Sequence, residues 1–486
     1  MGRLVFELPP GMDWLRVRAH FAGADLPNLY AVDSEGATRL QWWGLRLGEP
    51  LIVPARLDEG ASLWPGAVPG SLPAGGWHLL LADVARHGEG PRYRVEVTAG
   101  TGAPPDEPQT DARPVAWLSG AARPGEPAYD RYGWEHAAAA GARWYRGDLH
   151  LHTLLSDSRL SADLLSRLAL ERGLDFAVIT EHNTLTTAWV PTSLMVIPGV
   201  ELTSTRGHVN VLGVRSFPPL WYGEAPTLES EAAIDRLLAA YAAEGAVCSV
   251  NHPLLKPWRW EWEGLSLARV QAIEVLNDPS YPANAAATRG ALALWDEMWR
   301  FGYRVWGVGG SDVHLLPEER RAPDEPPQVV GDPTTCVWAE ALTPAGMVEG
   351  IRRGRVYVTR GPALAPEAVV GGERRLPGED LAPDGGPVEL EYSLRVEEGP
   401  GEGWVRWVEN GEEVALEPLS ARGRHSLRRR WPAGVYRWLR VEVLDGRGGL
   451  VAFVNPVYAH APSPPPERRW GEAAVRARHG AGEERA

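Results

Sequence analysis

The chain has 486 residues, a formal net charge of −14 and 44% apolar residues. That length points to more than one domain, and the apolar share is enough for ordinary globular cores. An acidic chain is poorly suited to coating nucleic acid, and two cysteines exclude a disulfide framework or a cysteine-rich zinc site.

Residues 1–112 read as a β-sandwich domain. In "WLRVRAHF", Leu15, Val17, Ala19 and Phe21 alternate with Arg16, Arg18 and His20, and "YRVEV" sets Tyr93, Val95 and Val97 against Arg94 and Glu96. Period-two patterns place one face on a core and the other in water. The N-terminus has no apolar run of secretory length, and no segment is long and uncharged enough to span a membrane, so a soluble, cytoplasmic chain is expected. "GTGAPPDEPQTDARP", residues 100–114, has linker composition, and a linker is expected over 113–144.

From 145 to 364, short apolar runs alternate with helical stretches. Ser161 and Gly173 are positioned as N-cap and C′ of a helix carrying Leu164, Leu165 and Leu168, followed by the strand "FAVIT". A helix with Ile234, Leu237, Leu238 and Tyr241 on one face precedes the strand "AVCSV", and "AIEVL", "YRVWGVGG" and "TTCVWA" complete the set. This alternation predicts an α/β domain with a parallel sheet, open or closed into a barrel. Cys248 and Cys336 sit in apolar runs and read as buried, inert thiols. Residues 365–460 return to strands and predict a second β-sandwich: a hairpin turns at Asn410-Gly411, and Leu439, Val441 and Val443 alternate with Trp438, Arg440 and Glu442. The proline- and charge-rich segment 461–486 reads as a disordered tail.

The chemistry concentrates at strand ends. "GDLHLHTLLSDS" puts His150 and His152 on one side of an extended chain, with Asp148 on the same face and Asp157 beyond. Glu181, His182 and Asn183 close "FAVITEHN", Glu201 lies in "MVIPGVELTS", and His208 opens "GHVNVLGV" beside Asn210. Asn251-His252 ends "AVCSVNHP", and Asp312-x-His314 ends "WGVGGSDVH". Six histidines with carboxylates at such positions form a metal-ligand set rather than core filler. Glu181 is placed facing solvent, Glu274 in an ion pair or behind a ligand, and Asp148 as a cap or orienting group.

"DLHLHT…SD", "ITEHN", "GVELTS", "NHP" and "GSDVH", in that order over about 145–360, resemble the PHP (polymerase and histidinol phosphatase) metallohydrolases. "GRVYVTRGP" is similar to the close of the domain in the CehA/McbA-like branch. The resemblance implies a distorted seven-stranded TIM-like β/α barrel holding two or three divalent ions (Zn, Mn or Fe). It further implies that His150, His152, Glu201 and Asp312 hold a first ion. Glu201 would bridge to a second, held also by His252 and His208, and Asp157, His182 and His314 would hold a third. Ser158 stands where the family pattern has glycine, which leaves the Asp157 loop geometry open. Lys256, the single lysine, is poorly placed to bridge metals, so Glu201 is the better bridge.

The chemistry implied is hydrolysis by a metal-bridging hydroxide, with Glu201, His208 and His252 as catalytic candidates. A phosphoester of a small molecule is the first expectation. A carbamate or carboxylic ester is the second, and a non-catalytic carbohydrate- or protein-binding multidomain protein is the third. Arg159 and Arg206 are candidates for holding a phosphate or carboxylate, or else surface ion pairs; Asn183 and Asn251 are further substrate-binding candidates. Trp258, Trp260 and Trp262 read as an aromatic cover, with a substrate lid as the alternative. No nucleic-acid or membrane partner is expected, and the β-domains are candidates for forming a homo-oligomer.

Overall fold

The computed structural model describes residues 2–22, 27–43, 49–56, 63–83, 92–104, 115–118, 129–224, 228–399, 402–420 and 422–480. The N-terminal strands form two antiparallel sheets. One is ordered Gly2–Leu8, Gly75–Asp83, Pro27–Val32, Thr38–Trp43, and the other Leu51–Pro54, Trp14–Ala22, Arg92–Gly100. Leu15, Val17 and Phe21 of the second sheet share one apolar cluster with Leu29, Leu40 and Leu79 of the first, as their alternation predicts.

The central sheet is mixed rather than parallel. Ala139–Asp148, Phe176–Ile179 and Met195–Ser204 run parallel, and so do Val247–Val250, Ala272–Asn277 and Trp306–Gly310. Gly207–Leu212 is antiparallel to both its neighbours, because only two residues separate it from Met195–Ser204. The sheet's Trp306 end returns to its middle. Leu151 bridges Val313, and Asp312 N donates to His150 O over 2.9 Å. Ser161 caps the helix Ala162–Glu171 by accepting from Leu164 N, and Gly173 takes φ +70°. Cys248 and Cys336 are buried, and burial pushes their thiols up to about 12 and about 11.

Three expectations are corrected. Much of the stretch taken as linker, 113–144, is part of the fold. Val115–Ala116 pairs with Ala188–Trp189, Trp117 and Tyr129 are buried, and Ala139 already begins a central strand; residues 105–114 and 119–128 lie outside the described set. Only some of the C-terminal strands form a sheet of their own, ordered Glu373–Arg375, Ala363–Val370, Val388–Glu398, Gly423–Trp431; the others join the central sheet and share an apolar core with it. Leu450–Ala459 pairs with Val356–Thr359 and carries Arg437–Asp445, Gly403–Glu409 and Glu412–Pro418 onto the end of the central sheet. Consequently Trp438, Arg440 and Glu442, expected in water, are buried. Helix Asn284–Arg300 covers their face, and Arg440 pairs there with Asp296 and, over 2.7 Å, with Glu442. The hairpin turn stands as predicted, with φ +51° at Asn410 and +81° at Gly411.

The third correction concerns the tail. Trp470–Gly480 is a helix packed on Asn284–Arg300, with Trp470 and Ala473 buried; residues 481–486 lie outside the described set. Tryptophan and alanines spaced along one helical face were masked by the surrounding prolines and charges. No helix among the described residues is long and apolar enough to cross a membrane. Trp470→Ala is expected to cost about 3–5 kcal/mol, read as a lowered urea midpoint; an unchanged midpoint would mean that the segment does not pack.

Candidate metal centre

Beyond strand Ala139–Asp148 the chain stays extended, so Leu149 and Leu151 enter the core while His150 and His152 face the opposite way. The other strand ends reach the same point through strained turns. Asn183, His252, Asp278 and Asp312 have φ of +44°, +29°, +28° and +50°. Each such residue costs about 1–3 kcal/mol and persists only where its surroundings fix it. Gly310 is required beside them: a Cβ there would lie 2.3 Å from that of His150.

The ligand atoms meet at regular spacings. His150 Nε2 lies 3.3 Å from both Glu201 Oε1 and Asp312 Oδ1, and His152 Nε2 lies 3.2 Å from Asp312 Oδ1 and 3.4 Å from Glu201 Oε2. Asp157 holds His182 Nε2 at 3.3 Å and His314 Nε2 at 3.2 Å, one on each oxygen. His208 Nδ1 is 3.1 Å and His252 Nε2 3.8 Å from Glu201 Oε1. Ligands about 2.0–2.1 Å from a tetrahedral ion stand about 3.3 Å from each other. His150 Nε2, both nitrogens of His152, and Glu201 Oε2 are buried without a hydrogen bond. Buried polar atoms otherwise find partners, so this donor set fits divalent cations. Among the described residues three groups could hold an ion: His150–His152–Asp312, His152–Asp157–His182–His314, and His182–Glu201–His208. His182 and His152 each serve two of them, and His182 Nδ1 also lies 2.7 Å from Glu201 Oε2 and 2.6 Å from Thr203 Oγ1.

A surrounding layer orients these groups. Glu274 Oε1 lies 2.8 Å from His150 Nδ1, and its other oxygen accepts from His252 N and Asn277 Nδ2; it stands behind the ligand, as one of its two readings had it. Asp148 caps the turn, accepting from the backbone N–H groups of His150, Ser311 and Gly331, and burial pushes its carboxyl up to about 6. Glu181 is not solvent-facing. It is buried and accepts from Thr153 N, Thr153 Oγ1 and Ser156 Oγ, which folds the loop that carries Asp157. Ser158 replaces glycine without strain: its φ is not positive, and its hydroxyl donates to His314 O over 3.3 Å.

The proposed substrate contacts find other work. Arg159 pairs with Glu319 on the surface, and Arg206 donates to Glu261 O over 2.8 Å and lies over the Trp262 ring. Asn183 exchanges two hydrogen bonds with the Thr203 backbone, and Asn251 Nδ2 donates to Glu201 Oε1 over 2.6 Å. A cavity of about 430 Å³ opens over His182, His208, His252, Asp312 and His314, and none of Arg159, Arg206, Asn183 and Asn251 lines it. Its walls are Leu255, Trp258, Tyr281, Leu315, Arg321 and Gln328. Trp260 and Trp262 are buried cover, but Trp258 is 39% exposed at the mouth, edge-to-face with Tyr281. Arg321, 43 positions further along the chain than Asp278, donates to its Oδ2 over 2.5 Å and to Ser280 Oγ over 3.0 Å. It lies in a charged, proline-rich stretch with no periodic signal, so sequence reasoning had nothing to select it by.

Burial alone would raise the Glu201, Asp157 and Asp312 carboxyls and lower the imidazoles. The facing charges win. Glu201, opposite His182, His150 and His208, falls well below the usual carboxylate range, as do Asp157 and Asp312. His150 and His182 rise well above theirs, and His314 rises to about 9 beside Asp157 and Asp312. His152 and His208 are pushed down to about 4, first by burial and then by neighbouring imidazoles.

No protein-family model matches the chain, and no curated protein matches it. Among solved structures, a two-domain protein from Bacteroides vulgatus containing a predicted PHP-like metal-dependent phosphoesterase is 16% identical, with a TM-score of 0.35, over 70% of this chain and 100% of that one. An amidohydrolase from Chromobacterium violaceum is 14% identical, with a TM-score of 0.25, over 37% of this chain and 93% of that one. Likenesses this distant leave function to be read from the site itself.

An entering cation must displace the proton that His314 holds up to pH about 9. Mn²⁺ affinity is therefore expected to rise with pH toward that value, by about tenfold per unit for each proton displaced. Calorimetry in buffers of different ionisation enthalpy measures the release; affinity independent of pH would contradict it.

Proposed function

We propose that this chain is a PHP-type metal-dependent hydrolase that cleaves a phosphoester of a small molecule. The observation carrying it is the set of imidazole nitrogens and carboxylate oxygens standing 3.1–3.4 Å apart, with His150 Nε2, the His152 nitrogens and Glu201 Oε2 buried and unbonded, beside an open cavity lined by Asp157, His182, His208 and His314. On this reading the central strands form the distorted TIM-like barrel of that family, between two β-sandwiches, in a cytoplasmic enzyme.

Zinc, manganese or iron held there would draw a nucleophile from water at neutral pH and polarise the bond under attack. The chain's own residues do the rest. Glu201 places one oxygen toward His150 and His208 and the other toward His152 and His182, which makes it the natural bridge between two positions. Glu274 and Asp148 keep His150 and Asp312 aimed at the same point. His252, on the cavity wall and 3.8 Å from Glu201, the longest of the five imidazole contacts to that carboxylate, is placed to give a proton to the leaving group. Arg321 brings a guanidinium to the wall with donors left over from Asp278 and Ser280, which suits a phosphoryl oxygen.

A second reading, an aryl ester or carbamate of the kind implied by the CehA/McbA-like resemblance, is favoured by Trp258, Tyr281, Leu255 and Leu315 at the mouth. A purely binding role fits poorly with four strained turns kept around a complete ligand set.

Chelated protein, reconstituted with Mn²⁺, Zn²⁺ or Fe²⁺, is to be assayed on an aryl phosphate, a phosphodiester and an aryl carbamate. Phosphate hydrolysis is expected, with His150→Ala lowering kcat/KM at least about 100-fold. Arg321→Gln is expected to raise KM about tenfold for the phosphate, the worth of a charged hydrogen bond. Hydrolysis of the carbamate alone, with no effect of Arg321→Gln, would favour the second reading. Activity unaffected by His150→Ala would overturn both.

A further inference from the structure

The N-terminal sheet reaches the metal centre. Trp43, the last residue of Thr38–Trp43, is fully buried and stacks on His182, with ring centroids 5.1 Å apart and planes 30° from parallel. His152 is a second near-parallel neighbour of the same imidazole, at 4.5 Å and 20°. The central sheet holds the segment that follows His182 at Asn183, through Glu201 O and the Thr203 backbone. The N-terminal domain holds it from the other side. Tyr30 donates its hydroxyl to Asn183 O, Gln41 Oε1 accepts from Leu185 N over 3.0 Å, and Thr187 donates to Pro65 O and Ala67 O.

Among the described residues the indole N–H of Trp43 finds no hydrogen-bond partner, although the ring is buried. A buried tryptophan usually satisfies that group, and leaving it unmet costs about 1–3 kcal/mol. Polar partnership therefore does not set the ring's position; its face against the imidazole does. A face contact of this kind limits the orientations open to the His182 ring, whose Nε2 lies 3.3 Å from Asp157 Oδ2. Asn28, cross-strand from Trp43, is likewise buried and unbonded, so no polar anchor competes for the ring on that side.

We propose that Trp43 is a positioning residue for the Asp157–His182–His314 metal position, so that filling this position depends on the N-terminal domain. The inference rests on the metal-centre reading above. It gives the N-terminal strands a part in the site rather than a scaffold role alone.

The test titrates chelated full-length protein with Mn²⁺, following free ion by electron paramagnetic resonance. Trp43→Leu, which keeps an apolar side chain but removes the aromatic face, is expected to weaken one equivalent per chain at least about tenfold, the usual effect of losing a residue behind a ligand. The remaining equivalents are expected to bind as in the unaltered protein, and Trp43→Phe to restore the weakened one to within about twofold. If Trp43→Leu is not recovered folded, Tyr30→Phe, which frees the Asn183 carbonyl, is expected to weaken the same equivalent about threefold. Unchanged affinity, equal weakening of every equivalent, or a Phe variant no better than Leu would each overturn the proposal. Unaltered protein that binds no Mn²⁺ would instead overturn the metal-centre reading, a distinguishable result.

Discussion

Glu201 is fully buried in the middle of a strand that is buried along its whole length, and its charge has to be met inside the protein. A buried carboxylate without partners is costly enough to unfold a domain of ordinary stability. This chain meets it by converging His150, His152, His182, His208 and His252 on the two oxygens, with Asn251 donating a further hydrogen bond. The need to bring five imidazoles from four other segments to one carboxylate explains most of what is irregular nearby. Strained backbone at Asn183, His252 and Asp312 turns side chains inward at the ends of strands that would otherwise send them past one another.

Tolerance of that strain comes from the layers around it. Glu274 ties His150 to the backbone of His252, Glu181 folds the loop before Asp157, and Asp148 gathers backbone N–H groups from two distant segments, at Ser311 and Gly331, as well as that of His150. Farther out, the N-terminal sheet grips residues 183–187, and the C-terminal strands extend the central sheet while a buried network of Arg440, Asp296 and Glu442 joins them to a helix. The flanking regions are thus packed into the frame that holds the centre. Loosening any of them would act on the site through its geometry, since ligand spacings of this kind tolerate displacements well under an ångström.

Much of the site could be read from residue order. The alternation in "DLHLH" puts two imidazoles on one face because extended chain has period two, and the remaining ligands stand next to apolar runs that must be strands. Glu181 was misplaced because a strand-end carboxylate looks the same whether it meets water or Thr153 and Ser156. Arg159 and Arg206 read from sequence equally as anion holders or surface ion pairs, and Asn183 and Asn251 as substrate-binding candidates. Each bonds a neighbour from another segment, and Arg321 reaches the cavity from a stretch with no pattern.

The amino-acid sequence by itself determined the strand and helix alternation, the apolar faces of the amphipathic strands and the residues of the candidate ligand set, because these depend on local period and on side-chain chemistry. Tertiary structure alone decided which ligands share a position, which face of Arg437–Asp445 is covered, that Trp470 docks a terminal helix, and that Trp43 lies against His182. Those outcomes come from contacts between residues tens to hundreds of positions apart. Their energies depend on burial and on the partner brought alongside, and neither is written in the spacing of residues along one chain.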